Sequence, residues 1–356
     1  MSRSRAHPGQ SSPRRRRGGL ATFLRLALLG VVAATLAVAM TLAPPAPQAG
    51  ATEFGVYEGA GCDGRARLPI FEKWSGHRVE RTVDALDRRD WSHLESSAKW
   101  IAQCWRGSGV ALTLSVPMFP EDGTGNLRDG AAGRYDESFR KVAQDLIDNG
   151  YADATIRIGW EANGAWMAWT GAHDPAGYVL YWRHIVAVMR AVPGQRFTFE
   201  WCPNIGRHDV PADQLYPGDD VVDLIGLDVY NDYWQPALAN PDLRWAYMMD
   251  QPYGLKWHFD FAREHHKPIS FPEWGTGDRP DGHGAGDDPT FIRGMLDWFA
   301  QTRPVYESYW DVQASDYDAQ LSAGHYPLAA AAFLKALRDG DRTGDGFSAS
   351  AASAAP

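Results

Sequence analysis

DESFRKVAQDLIDNG, residues 136–150, runs directly into YADATIRIGWE, residues 151–161, and the fold turns on this stretch. Its first half sets Phe139, Val142, Ala143, Leu146 and Ile147 on one stripe at the 3.6-residue period, with Gly150 behind them. That spacing predicts a helix over 136–149. The second half holds a short β-branched run at 154–160, which predicts a strand, and a carboxylate follows it. Outward from here the same alternation fills residues 54–337. Further strands are expected at 54–58, 82–86, 110–116, 196–201, 222–229, 268–273 and 305–310, and further helices at 175–191, 289–301 and 328–337. Strands alternating with helices imply parallel βαβ units, and eight of them imply an α/β protein of the (β/α)8 TIM-barrel type. A doubly wound open sheet is the competing architecture, but no Gly-rich phosphate loop follows any expected strand.

Composition limits what the chain can do. It has 356 residues, 44% hydrophobic and 22% charged, too long for a small stapled domain and too apolar for a disordered one. Residues 1–51 hold seven of the 35 basic residues and none of the 44 acidic ones, so the remainder carries a net charge of −16. A body that acidic repels phosphate backbones, which argues against nucleic acid as a partner.

The basic stretch ending in Arg14–Arg17, the apolar run after Leu20 and the Ala49-Gly50-Ala51 site predict a signal peptide over 1–51, and hence secretion. The alternative is a membrane anchor through residues 20–43, where 18 residues from 26 to 43 carry no charge. After cleavage no stable membrane association is expected. A catalytic domain at 52–338 and a disordered tail at 339–356 complete the expected organisation. Asp339, Asp341 and Asp345 lack the glutamate a calcium loop requires. Three cysteines allow one disulfide within the chain; Cys62 with Cys104 is the expected pair, and Cys202 is expected as a buried free thiol in a strand. His265 and His266 read as solvated loop, and no spacing implies a metal or organic cofactor.

A barrel does its chemistry where its strands end. Those ends carry Glu58, Trp160-Glu161, Asn204, Asp228 to Tyr230, Glu273-Trp274 and Trp310. Carboxylates and indoles therefore converge on one face. Glu161 leaves the fourth strand among Arg157, Asn163, Trp160, Trp166 and Trp169; indoles disfavour an ionised carboxylate and suit a general acid. Glu273 leaves the seventh strand, across the mouth. A separation of about 5–5.5 Å would make it a nucleophile in a retaining glycosidase. Arg157, inside a strand, requires a buried anionic partner.

These segments resemble the retaining glycoside hydrolases of clan A, and within it the chain is most similar to family 26, the β-mannanases and their relatives. The resemblance rests on Arg157…Glu161-x-Asn163-Gly164-x-Trp166-x-x-Trp169, on Asp228-Val229-Tyr230-Asn231-Asp232, on Pro272-Glu273-Trp274-Gly275 and on Trp310. It implies that Glu161 is the acid/base and Glu273 the nucleophile, that Tyr230 hydrogen-bonds the nucleophile, and that Trp310 forms the sugar platform beside the scissile bond. Family members usually have His before the acid/base; here Trp160 stands there, an indole able to wall off the acid and offer a stacking surface.

The expected function is a secreted, monomeric, retaining β-glycoside hydrolase that cuts a polysaccharide or oligosaccharide, endo-acting on mannan or a related β-linked glycan. A β-glucanase or xylanase of the same clan, and a carbohydrate-binding barrel without turnover, are the alternatives. An aldolase-type barrel fails because no strand end supplies a lysine. The expected substrate-binding set is Arg157, Trp160, Asn163, Trp166, Trp169, Asp228, Tyr230, Trp274 and Trp310, the indoles stacking on sugar C–H faces. Trp91, Trp100, Trp105 and Trp182 are expected in the core, Glu200 and Glu307 as structural, and Glu58 at the cleft. The loops 121–134 and 278–288 are expected as flexible surface whose position decides endo or exo action.

Overall fold

The structure is a computed structural model that describes residues 51–343; the expected signal peptide or anchor and the last part of the expected tail lie outside the described residues. Nine parallel strands form the sheet: β1 (Glu53–Tyr57), β2 (Arg81–Ala85), β3 (Ala111–Val116), β4 (Thr155–Ile158), β5 (Thr198–Trp201), β6 (Leu224–Gly226), β7 (Val229–Tyr230), β8 (Ile269–Gly275) and β9 (Tyr306–Trp310). Neighbours follow chain order from β1 to β6, β9 pairs with β1 and β8, and β6 pairs with β8 to close the ring. This is a (β/α)8 barrel, because β6 and β7 share one of its eight positions.

The sixth strand, expected as one run over 222–229, is interrupted at Leu227 and Asp228. There the Asp228 backbone pairs with the segment after β5: its N–H donates to Pro203 O (3.1 Å) and its carbonyl accepts from Ile205 N–H (3.0 Å). The seventh carries a bulge. Phe271 pairs with Glu307 and Trp274 with Tyr309, so three steps on β8 match two on β9. All eight expected strand positions are occupied.

The outer layer holds α1 (Gly61–Ser75), α2 (Trp91–Trp105), α3 (Leu127–Ala131), α4 (Asp136–Asp148), α5 (Pro175–Arg190), α6 (Pro241–Asp250), α7 (Leu255–Glu264), α8 (Pro289–Thr302) and α9 (Pro327–Thr343). α4 buries Phe139, Val142, Ala143 and Leu146, the stripe read from the sequence. α5 and α8 start where an aspartate precedes a proline: Asp174 accepts from Gly177 N–H, and Asp288 from Thr290 and Phe291 N–H, while the proline occupies the first turn. α9 passes the expected domain end at 338 and continues to Thr343, helped by the i,i+4 pair of Lys335 and Asp339. Cys62 and Cys104 are bonded, joining α1 to α2, and Cys202 is a buried free thiol. No helix among the described residues is long and apolar enough to cross a membrane.

The barrel interior below the mouth holds a layer of paired polar side chains. Glu200 accepts hydrogen bonds from Ser270 and from Tyr306 (2.6 Å), and Arg81 reaches Thr113 and Thr155 (both 3.2 Å) and Glu53 (2.6 Å). Glu200 is thus structural. So is Glu307, which accepts from the Trp274 indole (2.5 Å). Trp105 and Trp182 are buried as expected, but Trp91 is only half-buried and Trp100 is exposed. The Trp100 ring lies over Gly61, whose bare Cα leaves the room: a Cβ there would sit 2.3 Å from it. His265 is not free loop either. It packs on Tyr216 (4.5 Å) and bonds Asp219 (2.8 Å).

Candidate active site

Glu161 is set by a sharp turn. β4 ends at Ile158, and Gly159 (φ 53°) and Glu161 (φ 54°) both adopt left-handed backbone within three residues. A Cβ at residue 159 would lie 2.6 Å from Met118 Sδ, so glycine is required there twice over. A non-glycine residue in this region costs about 1 kcal/mol or more; the Glu161 N–H bond to Cys202 O (2.8 Å) helps hold it. The carboxyl is buried and accepts at both oxygens: Asn204 Nδ2 reaches Oε1 (2.5 Å) and Trp166 Nε1 reaches Oε2 (2.7 Å). Burial pushes its pKa up, the negative charge of Glu273 adds to this, and the two donors oppose it.

Glu273 is held from two sides. Arg157 Nη1 donates to Oε1 (2.5 Å) and the Tyr230 hydroxyl donates to Oε2 (2.8 Å). Arg157 is wholly buried; it also donates to Ser115 Oγ (2.9 Å) and forms an ion pair with Asp228. The sequence demanded an anionic partner for this arginine, and it has two. The bulge in β8 explains the aim of Glu273. Phe271 and Trp274 both pack on Phe299, and of the two residues between them, Pro272 and Glu273, it is Glu273 that lines the cavity.

Both glutamates line one cavity of about 970 Å³ at the C-terminal ends of the strands. Trp160, Trp166, Tyr230 and Trp310 line it too. Trp310 stacks on Tyr57 (4.0 Å, 17°) and meets the Tyr230 ring edge-on (6.3 Å), forming a platform next to Glu273. Trp160 lies under the guanidinium of Arg157 (5.4 Å) and of Arg88 (6.0 Å), a wall beside the acid.

Five expected substrate contacts are corrected. Trp274 is fully buried, because the bulge turns it into the helical layer against Tyr309 and Phe333. Trp169 is fully buried and donates to Trp160 O (2.8 Å). Asn163 is buried and locks the Asn204 backbone: its Oδ1 accepts from Asn204 N–H (2.9 Å) and its Nδ2 donates to Asn204 O (2.8 Å). Arg157 and Asp228 do not line the cavity: Arg157 bonds Glu273, and Asp228 pairs with Arg157 behind it. Glu58, expected at the cleft, is buried beside Asp311; burial and this second carboxyl push its pKa to about 10.

Several lining residues carry no signal in the sequence that marks them for the site. Asn204, at the end of the fifth strand, lines the cavity and bonds Glu161. Asp232, Tyr233, Trp234 and Arg279 form the far wall, with Arg279 fixed between Asp232 (3.0 Å) and Asp281 (2.8 Å). Trp234, 61% exposed, stacks on His283 (5.2 Å, 24°). Both expected flexible loops contribute: Glu121 pairs with Arg88 (3.4 Å), and residues 278–288 are tied by Asp288, which bonds Arg244 (2.6 Å) and Asn231 (3.0 Å). The described residues contain no group of three or more His, Cys, Asp or Glu able to hold a metal ion.

An eight-stranded barrel with two carboxylic acids in unlike surroundings at its mouth, in a cleft walled by indoles, is the arrangement that glycoside hydrolysis calls for. Residues 136–241, which include Arg157, Glu161, Asn204 and Tyr230, match the sequence model of glycosyl hydrolase family 26, in line with the resemblance read from the motifs. Among solved structures the chain is similar to a Cellulomonas fimi endo-β-1,4-mannanase double mutant, at 19% identity and a TM-score of 0.61 over 81% of this chain and 71% of that one. It is also similar to the catalytic domain of a family 26 endo-β-1,4-mannanase from Bacillus sp. JAMB-750 (18%, TM-score 0.58, 81% and 86%). A Bacillus subtilis mannanase gives 16% identity and a TM-score of 0.56 over 79% and 87%. At such identities these likenesses speak for the fold. No curated protein sequence matches the chain.

Proposed function

We propose that this chain is a retaining endo-β-glycosidase acting on β-1,4-mannan or a closely related glycan. One observation carries the reading: Glu161 is buried with its pKa pushed up, while Glu273 in the same cavity is held by Arg157 (2.5 Å) and Tyr230 (2.8 Å). One carboxyl is suited to carry a proton and the other to attack.

Glu161 protonates the glycosidic oxygen as it leaves, and Glu273 bonds to the anomeric carbon. Glu161, now ionised, then takes a proton from water, which displaces Glu273. Arg157 and Tyr230 keep the attacking oxygen aligned. Trp310 on Tyr57 supports the sugar on the nucleophile side, and Trp166, tied to the acid, supports the departing side. The mannan reading is supported by the β-1,4-mannanase activity of the structural neighbours and by the family match. Export is supported by the leader composition and by the Cys62–Cys104 bond, a feature of oxidising compartments.

The test is incubation with mannan, xylan, β-1,3-glucan and mixed-linkage glucan, with reducing ends and product lengths measured. Internal cuts in mannan, lost in Glu161→Ala and Glu273→Gln variants that keep native circular dichroism, are the expected result. Binding without release by the wild type would identify a binding barrel, and retained activity in Glu273→Gln would remove the nucleophile assignment.

A further inference from the structure

His208 lies on the loop after β5, outside the residues assigned to catalysis above, and touches both groups that hydrogen-bond Glu161. Its Nε2 is 3.1 Å from Asn204 Oδ1 and 2.9 Å from Ile205 O. A backbone carbonyl can only accept, so Nε2 carries the proton and donates to both. Its ring meets Trp166 edge-on at 4.9 Å and 87°. Trp166 and Asn204 are the two donors to the Glu161 carboxyl.

We propose that His208 is a positioning residue that latches the Asn204 carboxamide with its NH2 end on Glu161, in both protonation states of the acid. The backbone of Asn204 is locked by Asn163 (2.9 and 2.8 Å) and its carboxamide sits between Glu161 and His208, where the alternative placement is a half-turn of the amide. While Glu161 is ionised its charge alone keeps the NH2 end facing it. Once Glu161 is protonated, a turned amide would present Oδ1, accept the acid's O–H and hold the proton away from the departing oxygen. The His208 N–H prevents that turn, since it would then face the amide NH2, donor against donor. The NH2 end therefore keeps favouring release of the proton.

The surroundings are compatible with this role. Burial lowers the proton affinity of His208, opposed by Ile205 O and the charge of Asp209, so the neutral ring protonated at Nε2 is the form present near neutral pH. Glu161 itself faces Glu273, Arg157, Asp228 and Asp232. None of these four bonds His208, so a change at residue 208 reaches Glu161 through Asn204 and Trp166.

The proposal rests on Glu161 being the acid/base, and a direct titration separates the two ideas. The carboxyl 13C shift of Glu161 is followed against pH in the wild type, in His208→Phe, which keeps a ring against Trp166 but has no N–H, and in His208→Gln, which restores an N–H donor. The midpoint should rise by about 0.5–1 in pH in His208→Phe and return toward the wild-type value in His208→Gln. On unactivated β-mannan, kcat/KM of His208→Phe should fall roughly tenfold, with its alkaline limb moved up, while an aryl glycoside with a good leaving group changes less than about twofold. An unmoved midpoint in folded His208→Phe, or an equal rise in His208→Gln, overturns the latch. A wild type that cuts no glycan removes the catalytic reading but leaves the titration result standing.

Discussion

Arg157 is the residue on which the site depends most. It is wholly buried between Asp228 and Glu273, and losing the guanidinium removes the compensating charge from both carboxyl groups. Arg157→Met should therefore lower stability by about 3–5 kcal/mol in urea unfolding and reduce turnover below detection. A drop under about 1 kcal/mol would mean that the pair is solvated. Glu161 gives a second expectation. Its pKa is raised, so the proton needed for the first step persists to higher pH than on an ordinary glutamic acid, and is lost as pH rises through that raised value. In a kcat/KM profile the alkaline limb should lie above the ordinary glutamate range. A limb at about pH 4–5 would contradict the burial argument. Glu161, Glu273, Tyr230 and Arg157 were all legible in the sequence, since each sits on or beside a strand end with a telling neighbour. The bond of Asn204 to Glu161, and His208 altogether, were not: the loop that carries them, Pro203 to Asp209, has no periodicity to show which side chains turn inward.

At the scale of elements, the eight strand positions and the α4 stripe follow from hydrophobic spacing, whereas two irregularities do not. The bulge in β8 and the break between β6 and β7 arise from partners distant in sequence, Tyr309 and the Pro203–Ile205 segment. That is why Trp274, adjacent to the nucleophile in sequence, proves to be core. The loops after β7 and β8 form a wall that ends in Trp234 on His283, rather than free surface. An exposed indole held on a rigid base favours a sugar unit remote from the cut. Trp234→Ala should reduce kcat/KM on long mannan roughly three- to tenfold while leaving a short aryl glycoside unchanged. An equal loss on both substrates would place Trp234 beside the reacting bond instead.

At the scale of the whole molecule, closure through β6 and β8 turns the sheet into a ring and gathers the mouth loops onto one face. The paired layer of Glu200, Tyr306 and Arg81 fills the barrel beneath them and gives the site a rigid floor. The disulfide spans 42 residues and ties α1 to α2 behind β1 and β2. Reduction should lower stability by about 2–4 kcal/mol without changing the site, visible as a lower Tm with unchanged KM. A shift in KM would show that α1 and α2 carry the mouth with them. The central claim, that Glu161 and Glu273 act by double displacement, is tested most directly by the anomeric configuration of the first product. Proton NMR during hydrolysis of a β-1,4-mannooligosaccharide should show the β-anomer first, with the α-anomer appearing later by mutarotation. The α-anomer appearing first would mean single displacement by water, and would contradict Glu273 as the nucleophile.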